Sequence, residues 1–129
     1  MTESITTPNA LVQTTNGKRF YVYSGQITGA GSGVETTMID IDNVGERDFK
    51  LHLEYGHLVP TSADVITRVY VNDIIIYIYC WGDTGGSYGA VFGGPSLIIP
   101  ANSKLVITFT SASGEPVWAV AGTGKFLSM

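Results

Sequence analysis

Apolar residues recur along the chain at period two in short runs, and no stretch of about ten residues holds a helical 3.6-residue period. The cleanest alternation runs from Phe49 to Tyr55, with Phe49, Leu51, Leu53 and Tyr55 set against Lys50, His52 and Glu54; it predicts a strand with one wet face. The longest apolar stretch is Ile66 to Trp81, ITRVYVNDIIIYIYCW, split by Asn72-Asp73. Two β-rich runs joined by two residues that tolerate positive φ read as a hairpin. Strict parity from that turn puts Thr67, Val69, Val71, Ile74, Ile76, Ile78 and Cys80 on the face that holds the subunit together. The other face then carries Ile66, Arg68, Tyr70, Ile75, Tyr77, Tyr79 and Trp81. Neither face has the composition of a solvated one.

Further strands are predicted on both sides of this hairpin. Ala10 to Thr15 leads through the turn signal Asn16-Gly17 into a strand from Lys18 to about Thr28, where Phe20, Val22 and Ser24 alternate with Arg19, Tyr21 and Tyr23. Thr37 to Asp42 places Ile39 and Ile41 inward and Met38, Asp40 and Asp42 outward. After the hairpin, Gly82 to Pro95 holds six glycines and reads as a long loop presenting Tyr88 and Phe92 as contact residues. Ser96 to Ile99, Lys104 to Thr110 and Val117 to Ala121 complete the set, and Gly122-Thr123-Gly124 predicts a bulge or tight turn. Residues 1–9, polar and rich in Thr, read as a flexible arm, and residues 10–129 as a single domain. The prediction is an all-β fold, a two-sheet antiparallel β-sandwich of the jelly-roll kind with about eight strands.

Composition sharpens this in one respect. The chain is 44% hydrophobic but only 14% charged, against roughly 25% charged in an average soluble domain. Part of the surface must therefore be Ser, Thr, Gly and Asn, or be covered by another subunit. With a net charge of −4 and scattered Lys and Arg, the chain lacks the basic footprint of nucleic-acid binding. No apolar run approaches the ~20 residues of a membrane-spanning helix, and the first residues lack the pattern of a signal peptide, so a soluble protein made in a cytoplasm is expected. The single cysteine, Cys80, rules out an intrachain disulfide and is expected to be a buried apolar filler.

Candidate chemistry is sparse. Gly29 to Gly33 and the fragment Gly122-Thr123-Gly124-Lys125 have glycine spacings reminiscent of phosphate loops, but no helix follows either. Asp40, Asp42 and Gly45 match positions 1, 3 and 6 of a calcium loop, yet Val44 and Leu51 stand where oxygen ligands belong, which leaves a solvated turn with local pairing of Arg47. His52 and His57 have no partner nucleophile or metal spacing and read as surface residues. No enzyme, cofactor or metal site is predicted.

The positive feature is the aromatic second face of the hairpin. Tyr and Trp are enriched at interface centres, so Tyr70, Ile75, Tyr77, Tyr79 and Trp81 are expected at an oligomer contact. The succession VITRVYVNDIIIYIY, a Gly-rich loop, and PSLIIPANSKLVITFTSASGEPVWAVAGTGKFL resembles the C-terminal half of small jelly-roll proteins of tailed-phage and other viral particles. These are similar in turn to tumour-necrosis-factor-like jelly rolls. The resemblance implies a minor capsid, decoration or fibre-head subunit, a homo-oligomer and by analogy a trimer, which meets other virion proteins and resides in the virion. A carbohydrate-binding module that uses exposed aromatics, with a glycan as partner, is the competing expectation.

Overall fold

The computed structural model describes residues 11–15, 19–24, 26–29, 33–59, 65–81, 91–111 and 117–127. Ten strands follow one another: β1 (Leu11–Thr15), β2 (Arg19–Tyr23), β3 (Ile27–Thr28), β4 (Thr36–Ile41), β5 (Phe49–Val59), β6 (Val65–Val71), β7 (Ile74–Trp81), β8 (Val91–Ile99), β9 (Leu105–Ser111) and β10 (Val117–Phe126). Their antiparallel pairings nest. β6 pairs with β7, β5 with β8, β4 with β9, and β2 and β3 with β10, as in one long hairpin. Ladders between β6 and β9 and between β5 and β10 fold this ribbon into two sheets. One sheet has the order β1-β2-β10-β5-β8 with β3 beside β10, and the other the order β4-β9-β6-β7. Such a double-sheet wrap of nested pairs is a jelly roll.

The core lies between the sheets and follows the alternation. Phe49, Leu51, Leu53 and Tyr55 of β5 face Leu105, Ile107 and Phe109 of β9, all at most 2% exposed. The Phe109 ring stacks on Trp118 of the opposite sheet, with centroids 6.3 Å apart. Each such side chain contributes about 1.5–3 kcal/mol through its burial. A buried hydroxyl is satisfied locally: Ser24 N donates to the Val120 carbonyl, and Val120 N donates to Ser24 Oγ, both at 3.0 Å.

Period two breaks in several places. On β4 the ladder passes from Thr37 opposite Thr108 to Ile39 opposite Ile107 and skips Met38. This extra residue turns Met38 inward, so Met38 and Ile39 are both fully buried, contrary to the outward placement of Met38. β10 runs unbroken through Gly122 and Gly124, so no turn forms there. Gly122 serves packing instead: a Cβ on it would lie 2.7 Å from Leu51 Cδ1. β8 begins at Val91, and Gly93, Gly94 and Pro95 are strand rather than loop. The predicted arm, residues 1–9, and Tyr88 lie outside the described residues, as does the Phe92 side chain.

The acidic turn closes one end of the sandwich rather than standing free in solvent. Val44 is 3% exposed, and its N–H donates to the Ser103 carbonyl. Asn43 Oδ1 accepts from Gly45 N at 2.8 Å, which suits the positive φ of Gly45 (111°). Asp48 Oδ1 accepts from Ala101 N at 2.7 Å, and the Arg47 guanidinium lies 5.1 Å from the centroid of the Phe126 ring.

Two adjacent glycines of β8 separate packing from backbone freedom. A Cβ on Gly94 would meet the Leu53 carbonyl oxygen at 2.7 Å, whereas one on Gly93 would meet nothing within 4 Å. Gly94→Ala is expected to lower the urea-unfolding free energy by about 1–3 kcal/mol, and Gly93→Ala to leave it unchanged or raise it by up to about 1 kcal/mol.

Candidate assembly edge and the polar depression beside it

The hairpin turn is built as its dipeptide demands. Asn72 and Asp73 hold φ of 51° and 66°, the pair of positive values that a two-residue type I′ turn requires. The tip is tied to the neighbouring turn. Asn72 N donates to the Lys104 carbonyl at 3.0 Å, Asn72 Oδ1 accepts from Lys104 N at 2.9 Å, and Lys104 Nζ lies 3.7 Å from Asp73 Oδ1. Val71 therefore stands opposite Ile74, and Tyr70 opposite Ile75.

The next pair is Val69 with Tyr77, which leaves Ile76 as an extra residue. This bulge inverts every face assignment after it. Tyr77 and Tyr79 share the core-side face with Val69 and Thr67, and Tyr77 packs against the core. Ile78 and Cys80 share the outer face with Arg68 and Ile66. The parity expectation thus holds for Tyr70 and Ile75 on the outer face and is reversed for Ile78, Cys80, Tyr77 and Tyr79. Trp81 stands opposite Val65, on the core side by register, and its side chain lies outside the described residues. Nothing in a run as uniform as IIIYIYCW marks which residue will bulge.

β7 is also the last strand of its sheet. An edge strand covers less of its neighbours, and Ile74 (67% exposed), Ile75 (47%), Ile76 (41%), Ile78 (56%) and Tyr79 (46%) all face solvent in the single chain. Cys80 is exposed as well, not the buried filler expected. These residues make β7 an exposed, uncharged strip, with Ile75, Ile78 and Cys80 on the outer face and Ile74 and Tyr79 on the core side; exposed apolar surface of this kind marks interaction sites.

Beside the strip, the outer face of the same sheet turns polar. Glu35 Oε2 accepts hydrogen bonds from Tyr70 Oη and Thr108 Oγ1, each at 2.5 Å, and Arg68 donates to Thr110 Oγ1 at 2.8 Å. Glu35, Asp40, Asp73, Tyr70, Lys104 and Thr108 line an open depression of about 320 Å³. Burial pushes the Glu35 carboxyl up, but the Thr108 and Tyr70 hydrogen bonds and the Arg68 charge outweigh it and hold the pKa below the ordinary carboxylate value. The hydrogen bond to Glu35, then burial, pushes the Tyr70 phenol up. Burial pushes the Tyr55 phenol in the core up to about 12.

The histidine that can be placed is on the other sheet. His52 Nδ1 lies 3.0 Å from Ser96 Oγ and Nε2 lies 4.0 Å from Glu54, on an exposed surface. Among the described residues no three His, Cys, Asp or Glu side chains group as metal ligands.

Neither a protein-family model nor a curated protein sequence matches the chain. Among solved structures, the fold is similar to a chain in the structure of infectious bursal disease virus Gx strain. The two are 10% identical with a TM-score of 0.52 over 82% of this chain and 32% of that one. The infectious bursal disease virus VP2 subviral particle gives 12% identity and a TM-score of 0.46 over 87% and 37% of the two chains. CsCBM6-3 from Clostridium stercorarium, solved in complex with cellobiose, gives 18% identity and a TM-score of 0.35 over 98% and 88%. This chain thus spans about a third of the viral chains. At such identities the first likeness shows the fold alone, a jelly-roll β-sandwich.

The bulge reverses the roles of two neighbours. Tyr77→Ala, on the core side, is expected to lower subunit stability by about 2–4 kcal/mol, and Ile76→Ala, in the bulge and 41% exposed, by about 1 kcal/mol, in denaturant titrations.

The Glu35 cluster links stability to pH with opposite signs at the two ends. A lowered carboxyl pKa gives stability that is present above the unfolded value near 4.5 and is lost as pH falls through the folded value. The raised Tyr70 phenol pKa gives stability that is present below about 10 and is lost as pH rises through the folded value. Glu35→Gln is expected to flatten the acid side of the stability profile. It should also bring one of the seven tyrosines back toward its ordinary titration in phenolate absorbance.

Proposed function

We propose that the chain is a non-enzymatic structural subunit of a viral particle, which assembles as a homo-oligomer and meets other virion proteins as a decoration, minor capsid or fibre-head component. The observation that carries this reading is the exposed strip Ile74, Ile75, Ile76, Ile78 and Tyr79 on a strand at the edge of its sheet. An isolated soluble domain gains nothing from that exposure, whereas a subunit buries it. The likeness in fold to a chain of infectious bursal disease virus supports the reading, as does a chain poor in charge. Tyr70 and Ile75 join the strip on the outer face, and Tyr79 reaches it from the core-side rim.

A second reading, binding of a glycan, is favoured by the depression around Glu35. Its carboxylates and Lys104 offer acceptors and a donor to sugar hydroxyls, and Tyr70 offers part of a ring face. This places a glycan in the depression rather than on the aromatic second face of the hairpin, where Tyr77 packs against the core.

Light scattering on the purified chain separates the two readings. A mass well above 13.8 kDa at micromolar concentration, returned to 13.8 kDa by Ile78→Lys, is expected for the subunit. A monomer that binds a glycan array and loses that binding on Glu35→Ala supports the second reading instead.

A further inference from the structure

Lys and Arg are few and scattered along the chain, but the larger sheet gathers three of the seven into one row. Lys125 of β10 stands directly opposite Lys50 of β5 on one side and Arg19 of β2 on the other. Directly opposite residues share a face, with Cβ atoms about 4.5–5.5 Å apart. Lys50 and Lys125 are exposed on the outer face and alternate with the buried Phe49, Leu51 and Gly124. Arg19 is placed by register alone, and its side chain lies outside the described residues.

This row works against the sheet, since like charges set directly opposite one another are destabilising. Among the described residues the ion pairs are His52 with Glu54 and Lys104 with Asp73, so neither Lys50 nor Lys125 takes part in one. Asp48, two residues before Lys50, accepts from Ala101 N through its Oδ1. Protection of a sheet edge does not account for the row either, because β2, β10 and β5 are the inner strands of the order β1-β2-β10-β5-β8. The next row on the same face differs in kind. Tyr21, Thr123, His52 and Ser96 follow one another across β2, β10, β5 and β8, all exposed.

We infer that this face binds an acidic glycan, a chain of sugars bearing sulfate or carboxylate groups. Lys50 and Lys125 meet the anionic groups, and Arg19 adds positive charge at one end of the row. Tyr21 offers a ring face, and Thr123, His52 and Ser96 offer hydrogen bonds to sugar hydroxyls.

The geometry favours this ligand over other anions. The row spans two strand spacings, about 9–10 Å, which suits anions repeated along a chain better than a single phosphate. Three cations on a chain of net charge −4 are fewer than the roughly six to ten phosphate contacts of strong duplex binding. An acidic protein segment is disfavoured because centres of protein interfaces are apolar and depleted in Lys, whereas hydroxyl and imidazole groups lie beside these lysines. The Glu35 depression is a separate place on the other sheet, and its carboxylates repel an acidic ligand. The inference goes beyond the subunit reading and holds for any oligomeric state.

Retention of the full chain on immobilised heparin in a salt gradient tests this. Heparin is expected to hold the chain at low salt and release it as salt rises, and chemically desulfated heparin to let it pass. Lys50→Gln/Lys125→Gln keeps both aliphatic stems and is expected to weaken binding by about tenfold or more, with the slope of log affinity against log salt smaller by roughly two. Its thermal midpoint is expected to stay the same or rise, since opposed like charges are removed, whereas loss of a structural contact would lower it. Lys50→Gln alone is expected to lose about threefold. Arg68→Gln, the same change of charge on the other sheet, is expected to leave retention unchanged. Failure to bind heparin at low salt, or equal retention of the double variant, would overturn the site. Equal affinity for polyglutamate or for a DNA duplex would overturn the glycan as its ligand.

Discussion

Asn72 and Asp73 close the innermost of the nested strand pairs, and every other ladder of the long hairpin lies outside the turn they make. With β6 and β7 joined, β5 and β8 have a shorter effective loop to close, and the same holds outward to β4 with β9 and β2 with β10. The positive φ of both residues is tolerated because Asn and Asp pay little for the left-handed region. The cross-links of Asn72 and Asp73 to Lys104 then fix the hairpin against the β8–β9 turn. A slip of one residue at this turn would turn the buried Val65, Thr67, Val69 and Val71 of β6 toward solvent.

Bulges decide what the sheet β4-β9-β6-β7 shows on its two faces. At Met38 an extra residue brings a further apolar side chain into the core. At Ile76 it swaps the faces of the rest of β7, so that Tyr77 joins the core while Ile78 and Cys80 turn outward. The outer face is thereby divided. Near β4 and β9 it holds the Glu35, Tyr70 and Thr108 hydrogen bonds, and along β7 it is aliphatic. Polar and apolar contacts of different kinds are within reach of one face of one sheet.

The low charge of the chain has a related consequence. A surface with few ionised groups offers little repulsion between copies, and a net charge of −4 is spread over turns and the wet face of β5 rather than placed on β7. Folding of the single chain is served by the inter-sheet core, with Phe109 on Trp118 at its centre. The aliphatic strip on β7 adds little to that core. Its free energy is available to association instead.

Local pattern by itself determined most of the strands, though not the extent of β8 and β10 or the division of β2 from β3, together with the turn at Asn72-Asp73, the alternation of β5 and β9, and hence the all-β sandwich, because a period of two and turn chemistry are properties of neighbouring residues. It also made an uncharged hairpin visible as the unusual part of the surface. Which side of β7 each residue takes was decided only in three dimensions, since a bulge depends on the fit between two strands and a uniform apolar run has no residue that marks it. The same holds for Gly122, whose need to be small comes from Leu51 on the adjacent strand, and for the turn at Val44, which is buried by Ser103 and its neighbours far along the chain. Glu35, Tyr70 and Thr108 were not legible as a cluster because they lie on separate segments of the chain, and only the ladders β4–β9 and β6–β9 bring them together. The hairpin and its composition were written locally; which of its residues turn outward was set by packing.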